Sequence, residues 1–118
     1  MYGLPSNFDA SIFVEHELEQ ICFSATNVTL HFGDGVSISV LSAVAYSLSS
    51  TDPRQVESVP VSYSGLMRLI GKRVLSAESE VDGHVILRFS GGAELHLRDD
   101  STNYESYSIR VGNREIIV

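Results

Sequence analysis

Two copies of one hairpin pattern constrain the fold of this chain more than any other feature. Residues 28–40 read VTLHFGDGVSISV and residues 85–97 read VILRFSGGAELHL, so apolar residues recur at the same positions with an offset of 57. In each copy apolar and polar residues alternate on both sides of a glycine, which is typical of half-buried antiparallel strands. The pattern therefore predicts two equivalent β-hairpins that each bury one face.

The turn of the first hairpin is predicted to be a three-residue loop over residues 33–35. This loop lets Phe32 pair with Val36, and it needs a left-handed final residue, which glycine adopts readily. The same register in the second hairpin places Arg88 opposite Glu94 as a favourable cross-strand pair. The turn glycines thus have a backbone explanation, and no ligand is needed to account for them.

The repeat extends upstream at an offset of 56, where residues 13–25 align with residues 69–81. These segments predict one further strand in each half, and the Asp-Gly pair at residues 82–83 is a strong turn signal. Additional strands are predicted late in each half and in the tail, at residues 43–49, 104–111 and 114–118.

A short helix is predicted before each run of strands. In the first half Asp9 is placed to cap a helix within residues 9–20. In the second half Ser62 or Ser64 is the candidate cap, and Gly71 is placed to end the helix.

These elements predict an α+β fold that is mainly antiparallel β. The two related helix-plus-β-meander halves span residues 9–49 and 62–111, and the bridge between them holds two of the three prolines. A half of about 57 residues buries too little surface to be stable alone, so we expect both halves to share one core. The prediction is one domain over residues 1–118 with an internal pseudo-twofold axis.

Charge is unevenly distributed along the chain, whose net charge is −7. Residues 1–57 hold one base, Arg54, against seven acids, whereas residues 58–118 hold seven bases and eight acids. Binding to nucleic acids or anionic membranes requires basic groups that displace counterions, so both are disfavoured as partners. An acidic surface attracts a basic partner instead, and Glu15, Glu17 and Glu19 are candidate contacts.

The apolar runs are far shorter than the roughly 20 residues that cross a bilayer. The N-terminal residues lack a basic segment followed by an apolar one, so no signal peptide is predicted. Cys22 is the only cysteine, which excludes an intramolecular disulfide and fits a reducing compartment. We therefore expect a cytoplasmic protein.

No motif for chemistry emerges from the sequence. His31 and His96 lie on outward strand faces at positions that the repeat does not relate, and there is no His-x-x-His or His-Glu-x-x-His. Phosphate-binding, dinucleotide-binding and serine-hydrolase motifs are also missing from the sequence. No metal, cofactor or catalytic residue is predicted, and the chain is expected not to be an enzyme.

The segment RDDSTNYESY, residues 98–107, is the strongest candidate for recognition outside the duplicated frame. It is dense in polar groups, and exposed tyrosines beside charge favour protein contacts. Alternatively, it is a structural connection in which one tyrosine packs inward and the other closes the sheet edge. Its candidate contact residues are Asp99, Asp100, Tyr104, Glu105 and Tyr107.

Three strings carry a resemblance to other proteins. They are LxxIxF…VxLxFxxGxxI over residues 18–38, LMRLIGxxVxSA…DG…LxF over residues 66–89, and DDSxxYESYxI over residues 99–109. On these strings the chain resembles a group of short bacterial proteins of unknown function, and the resemblance covers most of its length. The resemblance implies a bacterial, cytoplasmic and non-enzymatic protein, without supplying an activity.

Three functional hypotheses remain open at this point. The first is a protein-binding module, such as an immunity-type inhibitor whose acidic half covers a basic toxin. The second is a self-associating structural protein that pairs through exposed edge strands such as REIIV, residues 114–118. The third is a small-ligand binder or enzyme with a pocket between the halves, near Tyr46, Tyr104 and Glu105.

Overall fold

A computed structural model describes residues 3–59, 65–99 and 106–118. The described residues form ten antiparallel strands in two five-stranded sheets, with three short 3₁₀ segments. The first half and its bridge supply β1 (Gln20–Phe23), β2 (Val28–Gly33), β3 (Val36–Val40), β4 (Ala43–Ser47) and β5 (Gln55–Ser58). The second half supplies β6 (Val74–Ser79), β7 (Val85–Phe89), β8 (Glu94–Leu97), β9 (Tyr107–Val111) and β10 (Arg114–Ile117).

The two halves exchange their last two strands. The first sheet has the order β1-β2-β3-β9-β10, and the second has the order β5-β4-β8-β7-β6. Each sheet therefore combines three strands of one half with two strands of the other, and the repeat relates the two orders to one another. The expected meander is present only over the first three strands of each half, because the fourth strand crosses to the other sheet.

A short stretch of backbone pairing between the two halves has the same internal symmetry. Glu17 and Arg73, which are equivalent at the offset of 56, form an isolated antiparallel bridge. Beside it the amide of Leu18 donates to the carbonyl of Lys72 at 3.0 Å. In return the amide of Val74 donates to the carbonyl of His16 at 2.9 Å. The pairing of equivalent positions with one another places the pseudo-twofold axis at this bridge.

One buried hydrophobic cluster contains the inward residues of both sheets. Leu30 on β2 and Leu87 on β7 are equivalent in the repeat, and both are fully buried in it. Along β2, β3 and β7 every second residue is buried, which is the alternation that the sequence predicts. Period two therefore identifies the core face of these strands correctly.

The predicted helices are wrong in type and length within the described residues. They are single 3₁₀ segments, Ala10–Phe13 and Leu66–Leu69, so the α part of the α+β prediction is not confirmed. Each segment buries its first and last residue. This spacing of three matches the period of a 3₁₀ helix, and a longer helix would gain no further apolar contacts.

The caps of these two segments differ. Asp9 caps the first, as predicted, by accepting a hydrogen bond from the amide of Ser11 at 3.0 Å. The N-cap of the second is Gly65, whereas the predicted caps Ser62 and Ser64 lie outside the described residues. Gly71 follows this segment with a φ of +88°, in keeping with its predicted place at the end.

The first hairpin turn also departs from the prediction. Gly33 pairs with Val36, so the turn has two residues, Asp34 and Gly35, and both have positive φ. A β-bulge at Phe32 inserts one residue into β2 and thereby keeps Phe32 buried despite the shorter turn. The alternation of inside and outside is thus preserved by a bulge where we expected a three-residue loop.

The second hairpin follows the predicted register. The amide of Phe89 donates to the carbonyl of Ala93 at 2.8 Å, which leaves three residues in the turn, Ser90–Gly92. Arg88 lies opposite Glu94 in the ladder, as predicted. The tail also returns as expected, since β10 pairs with β9 across residues 112–113. The proline-containing segment that links the halves differs from the prediction, because it contains an unpredicted strand, β5.

Candidate functional site

The face beside the pseudo-twofold axis is acidic and concave. Glu15, Glu17, Glu19 and Asp34 line a surface pocket of about 350 Å³, together with Arg73 and three further residues: His16, Phe32 and Gly33. The side chains of Glu15 and Asp34 are 76% and 88% exposed. We call these four carboxylates the acidic face. It brings together the three glutamates that the sequence singled out and adds Asp34, from the turn of the first hairpin.

Local backbone geometry orients the acidic face. Glu15 has a φ of +72°, which is unusual for a residue other than glycine, and its amide donates to the carbonyl of Val74 at 2.9 Å. A Cβ on Gly33 would lie 3.0 Å from Oε2 of Glu19, so glycine makes room there for the carboxylate. Arg73 donates to the carbonyl of Glu15 at 2.7 Å and lies 3.9 Å from its carboxylate.

A second polar region crosses the outer face of the second sheet as a chain of side-chain contacts. Nε2 of His84 lies 3.3 Å from Nδ1 of His96, and Nε2 of His96 lies 3.0 Å from Oε1 of Glu94. The guanidinium of Arg88 lies 3.4 Å from the carboxylate of Glu94 and 2.8 Å from that of Glu78, and so links the two. We call these five side chains the histidine chain. His96 is only 4% exposed, although its strand parity is the outward one that the sequence predicts.

The direction of the hydrogen bonds in the histidine chain follows from chemistry. An ionised carboxylate only accepts, so Nε2 of His96 carries the proton that is donated to Glu94. Burial lowers the pKa of the His96 imidazole, against the hydrogen bond to Glu94 that raises it, so the neutral ring is favoured. Nδ1 of neutral His96 then accepts, and Nε2 of His84 donates to it. The same hydrogen bond from His96 lowers the pKa of the Glu94 carboxyl.

A pocket of about 330 Å³ lies where the histidine chain reaches the end of the ladder between β7 and β8. Its lining includes Asp82, His84, Arg98 and Asp99. Asp82 accepts a hydrogen bond from the amide of His84 at 3.0 Å, which fixes the turn before β7. We call this region the His84 pocket.

The structure gives the candidates in residues 98–107 different environments. Asp99 accepts hydrogen bonds from the amide of Gly3 at 2.8 Å and from the hydroxyl of Ser106 at 3.1 Å. Tyr107 is 1% exposed and its hydroxyl donates to the carbonyl of Gly83, so it ties the two sheets together. Burial raises the pKa of Tyr107. The other three candidates, Asp100, Tyr104 and Glu105, lie outside the described residues.

Tyr46, the described residue of the expected pocket between the halves, is engaged in structural contacts. Its hydroxyl donates to Glu57 at 2.7 Å and accepts from the amide of Gly65 at 2.9 Å.

Within the described ranges, no group of three or more His, Cys, Asp or Glu side chains is placed to hold a metal ion. Cys22 is exposed.

Sequence reasoning missed the histidine chain for a definable reason. The signal is Glu94-x-His96, two residues apart on one face of a strand, beside Arg88 on the facing strand. Neither a metal-ligand motif nor equivalence in the repeat relates His84 to His96. The contact of His84 with His96 depends on the register of two strands, and neither histidine is adjacent to the other in sequence.

Comparisons with known proteins give the chain a family but no activity. No curated protein and no solved structure matches it. No helix among the described residues is long and apolar enough to span a membrane. A family of unknown function, DUF6188, matches residues 10–118. That match extends over most of the chain, in keeping with the resemblance carried by the three strings, and the protein therefore belongs to the DUF6188 family.

Proposed function

We propose that the protein is a non-enzymatic protein-binding module whose acidic face contacts a basic surface of another protein. The carrying observation is the convergence of Glu15, Glu17, Glu19 and Asp34 on one concave surface in which Arg73 is the only lysine or arginine of the described lining. Complementary charge accelerates encounter and favours one orientation of the partner.

The rigidity of the backbone below the acidic face supports this proposal. The reciprocal hydrogen bonds across the pseudo-twofold axis hold the segment of Glu15 and Glu17 against the second half. Side chains on a fixed backbone lose less freedom when a partner binds than side chains on a mobile loop. The backbone that carries the acidic face is thus held in place before the partner arrives.

Charge reversal of two exposed acids tests the proposal. Purified wild-type protein and the double variant Glu17→Lys/Glu19→Lys are immobilised, exposed to lysate of the native host at low salt, and the retained proteins are identified. We expect a basic protein on the wild type that is lost from the variant and released by raising the salt concentration.

The matched control has the same change in net charge at a distance from the acidic face. Asp52→Lys/Glu80→Lys alters two exposed acids in other turns and should retain the partner. Retention of the same proteins by the double variant at residues 17 and 19 would contradict a role for the acidic face.

An immunity-type inhibitor is the specific case that we favour, in a bacterial cytoplasm where a toxin must be neutralised before export. The support is the acidic face, together with the resemblance of three sequence strings to short bacterial proteins of unknown function. The test is growth of cells that express the product of each neighbouring gene. One product should be toxic, and co-expression of this protein should restore growth, whereas Glu17→Lys/Glu19→Lys should not.

Self-association is the second candidate, because both outer edges formed by exchanged strands expose an apolar side chain. Val56 on β5 is 62% exposed and Ile117 on β10 is 40% exposed. Edge strands leave backbone groups unpaired, and a second copy would satisfy them. We expect light scattering to show a dimer that Val56→Lys or Ile117→Lys converts to a monomer. A monomeric wild type at high concentration would rule this candidate out.

A further inference from the structure

We propose that the His84 pocket binds a small zwitterion, a molecule that carries both an ammonium and a carboxylate group, such as an amino acid. Asp82 is the contact for the ammonium group, and Arg98 is the contact for the carboxylate. This site is separate from the acidic face, and its existence does not depend on the binding of a protein partner.

The charges of the lining select this class of ligand. Asp99 is engaged by Gly3 and Ser106, so its carboxylate serves the fold. Asp82 accepts from the amide of His84 through Oδ1, which fixes the carboxylate and leaves Oδ2 for a ligand. Arg98 is exposed, and its guanidinium makes no ion pair with any residue that the structure describes. In the part of the lining that the structure describes, one available anion and one available cation fit a ligand with one charge of each sign.

Strand register places the two charged contacts around His84. The ladder pairs Val85 with Leu97, so the next step along both strands sets His84 beside Arg98. Asp82 lies two residues before His84 in the turn, and all three side chains line the pocket. Guanidinium groups bind carboxylates in a bidentate geometry, and this orients the ligand with its ammonium group toward Asp82.

The histidine chain prepares His84 for a cationic group. Because Nε2 of His84 donates to His96, Nδ1 is the ring nitrogen that is left to accept a hydrogen bond from the ligand's ammonium group. His96 is itself fixed by Glu94, so the ring of His84 is held in one tautomer. The pocket volume of about 330 Å³ lies at the lower end of the range for small-molecule sites, which is about 300–1,000 Å³.

The equivalent place in the first half lacks these groups. At the offset of 57, His84 corresponds to Asn27, Arg98 to Leu41 and His96 to Ser39. A purely structural role for the pocket would be expected in both halves, since the strands around it are equivalent. The polar and charged groups of the pocket are therefore present in one half alone.

Nuclear magnetic resonance titration of the full chain tests the site with a panel of the common amino acids as zwitterions, and acetate and ethylamine as singly charged probes. We expect saturable shifts of the His84 and His96 ring signals with at least one amino acid below about 10 mM, where a millimolar site is nearly full. Acetate and ethylamine should bind at least about tenfold more weakly, because each leaves one charged contact unused.

Two surface variants locate the site. Arg98→Gln and Asp82→Asn should each weaken amino-acid binding by about tenfold, and Asp82→Asn keeps an acceptor for the His84 amide. Arg110→Gln, which removes an exposed arginine from the first sheet, is the matched control and should bind as the wild type does. The proposal is overturned if no amino acid gives a saturable shift, if acetate or ethylamine binds equally well, or if Arg98→Gln and Arg110→Gln behave alike.

Discussion

The outer faces of the two sheets come from equivalent strands but carry different chemistry. On the first sheet the hydroxyls of Thr29 and Ser39 hydrogen bond at 3.1 Å across β2 and β3. The positions equivalent to Ser37 and Ser39 on the second sheet are Glu94 and His96, whose side chains hydrogen bond to one another. The first outer face therefore combines these hydroxyls with His31 and one ion pair between Arg110 and Glu115, whereas the other holds a connected chain of ionisable groups.

The same contrast, with the roles of the halves reversed, is found beside the pseudo-twofold axis. The first half has Glu15, Glu17 and Glu19 there, and the equivalent residues of the second half are Gly71, Arg73 and Leu75. The repeat keeps the apolar positions that build the core, whereas the outward positions differ between the two halves. We infer that the frame is a shared structural solution, and that function lies where the two halves differ.

Substitution of equivalent core leucines tests whether the frame is shared, and it has the largest expected effect. Leu30→Ala and Leu87→Ala should each lower the free energy of unfolding by about 3 kcal/mol, because both create a cavity in one core. Urea denaturation measures both. A difference between them larger than about 2 kcal/mol would show that the halves contribute unequally to the core.

Removal of the central carboxylate tests whether the outer faces differ energetically. Glu94→Ala leaves buried His96 without its acceptor and Arg88 without one of its two partners, so we expect a loss of about 2 kcal/mol. Ser37→Ala, at the equivalent position, should change the free energy of unfolding by less than about 0.5 kcal/mol. Equal losses in urea denaturation would show that the histidine chain does not stabilise the second sheet.

The sequence predicted the strands and the core well because period two is a local signal. Leu30 and Leu87 have the same place in a pattern that can be read within a few residues, and burial of that face is enforced by the hydrophobic effect. The exchange of β4 and β9 between sheets could not be predicted in this way. Their strand pattern is the same whichever half they pair with, so only the packing of the whole chain decides the partner.

The candidate sites were predicted in part for similar reasons. Glu15, Glu17 and Glu19 are close in sequence and share the acidic face, whereas Asp34 joins them only through the first hairpin. The His84 pocket is built from the β6–β7 turn and the end of β8, and its groups meet through strand register. A site of that kind is visible from the sequence only after the register of β7 against β8 is known. The Arg88–Glu94 pair was the one sequence signal that supplied this register.

The residue after each 3₁₀ segment offers a smaller test of the divergence. Glu15 and Gly71 are equivalent and both have positive φ, but only glycine adopts this conformation without strain. Glu15→Gly should raise the free energy of unfolding by up to about 1 kcal/mol, and Gly71→Ala should lower it by about 1 kcal/mol. Space is open around Gly71, so strain alone is measured there. A loss of stability in Glu15→Gly would mean that the ion pair with Arg73 outweighs the strain.

The smallest expected effect is a dependence of stability on pH that arises from His96 on the second sheet. Burial lowers the pKa of His96 from its ordinary value of 6.5, and the hydrogen bond to Glu94 offsets part of that change. The unfolded chain therefore takes up a proton near pH 6.5 that folded His96 resists, so this stability is complete above that pH and declines as the pH falls below it. Glu94, whose pKa is lowered from 4.5, acts only in a more acidic range.

Urea denaturation between about pH 7.5 and about pH 5.5 isolates the contribution of His96. We expect His96→Asn to flatten the decline in the free energy of unfolding that the wild type shows over this range. His31→Asn, on the outer face of the first sheet, is the matched control and should retain the wild-type slope. If both variants keep that slope, His96 is not the group that takes up the proton on unfolding, and the two outer faces do not differ in this respect. If only His96→Asn loses the wild-type slope, protonation of His96 is coupled to unfolding, as the burial of its ring requires.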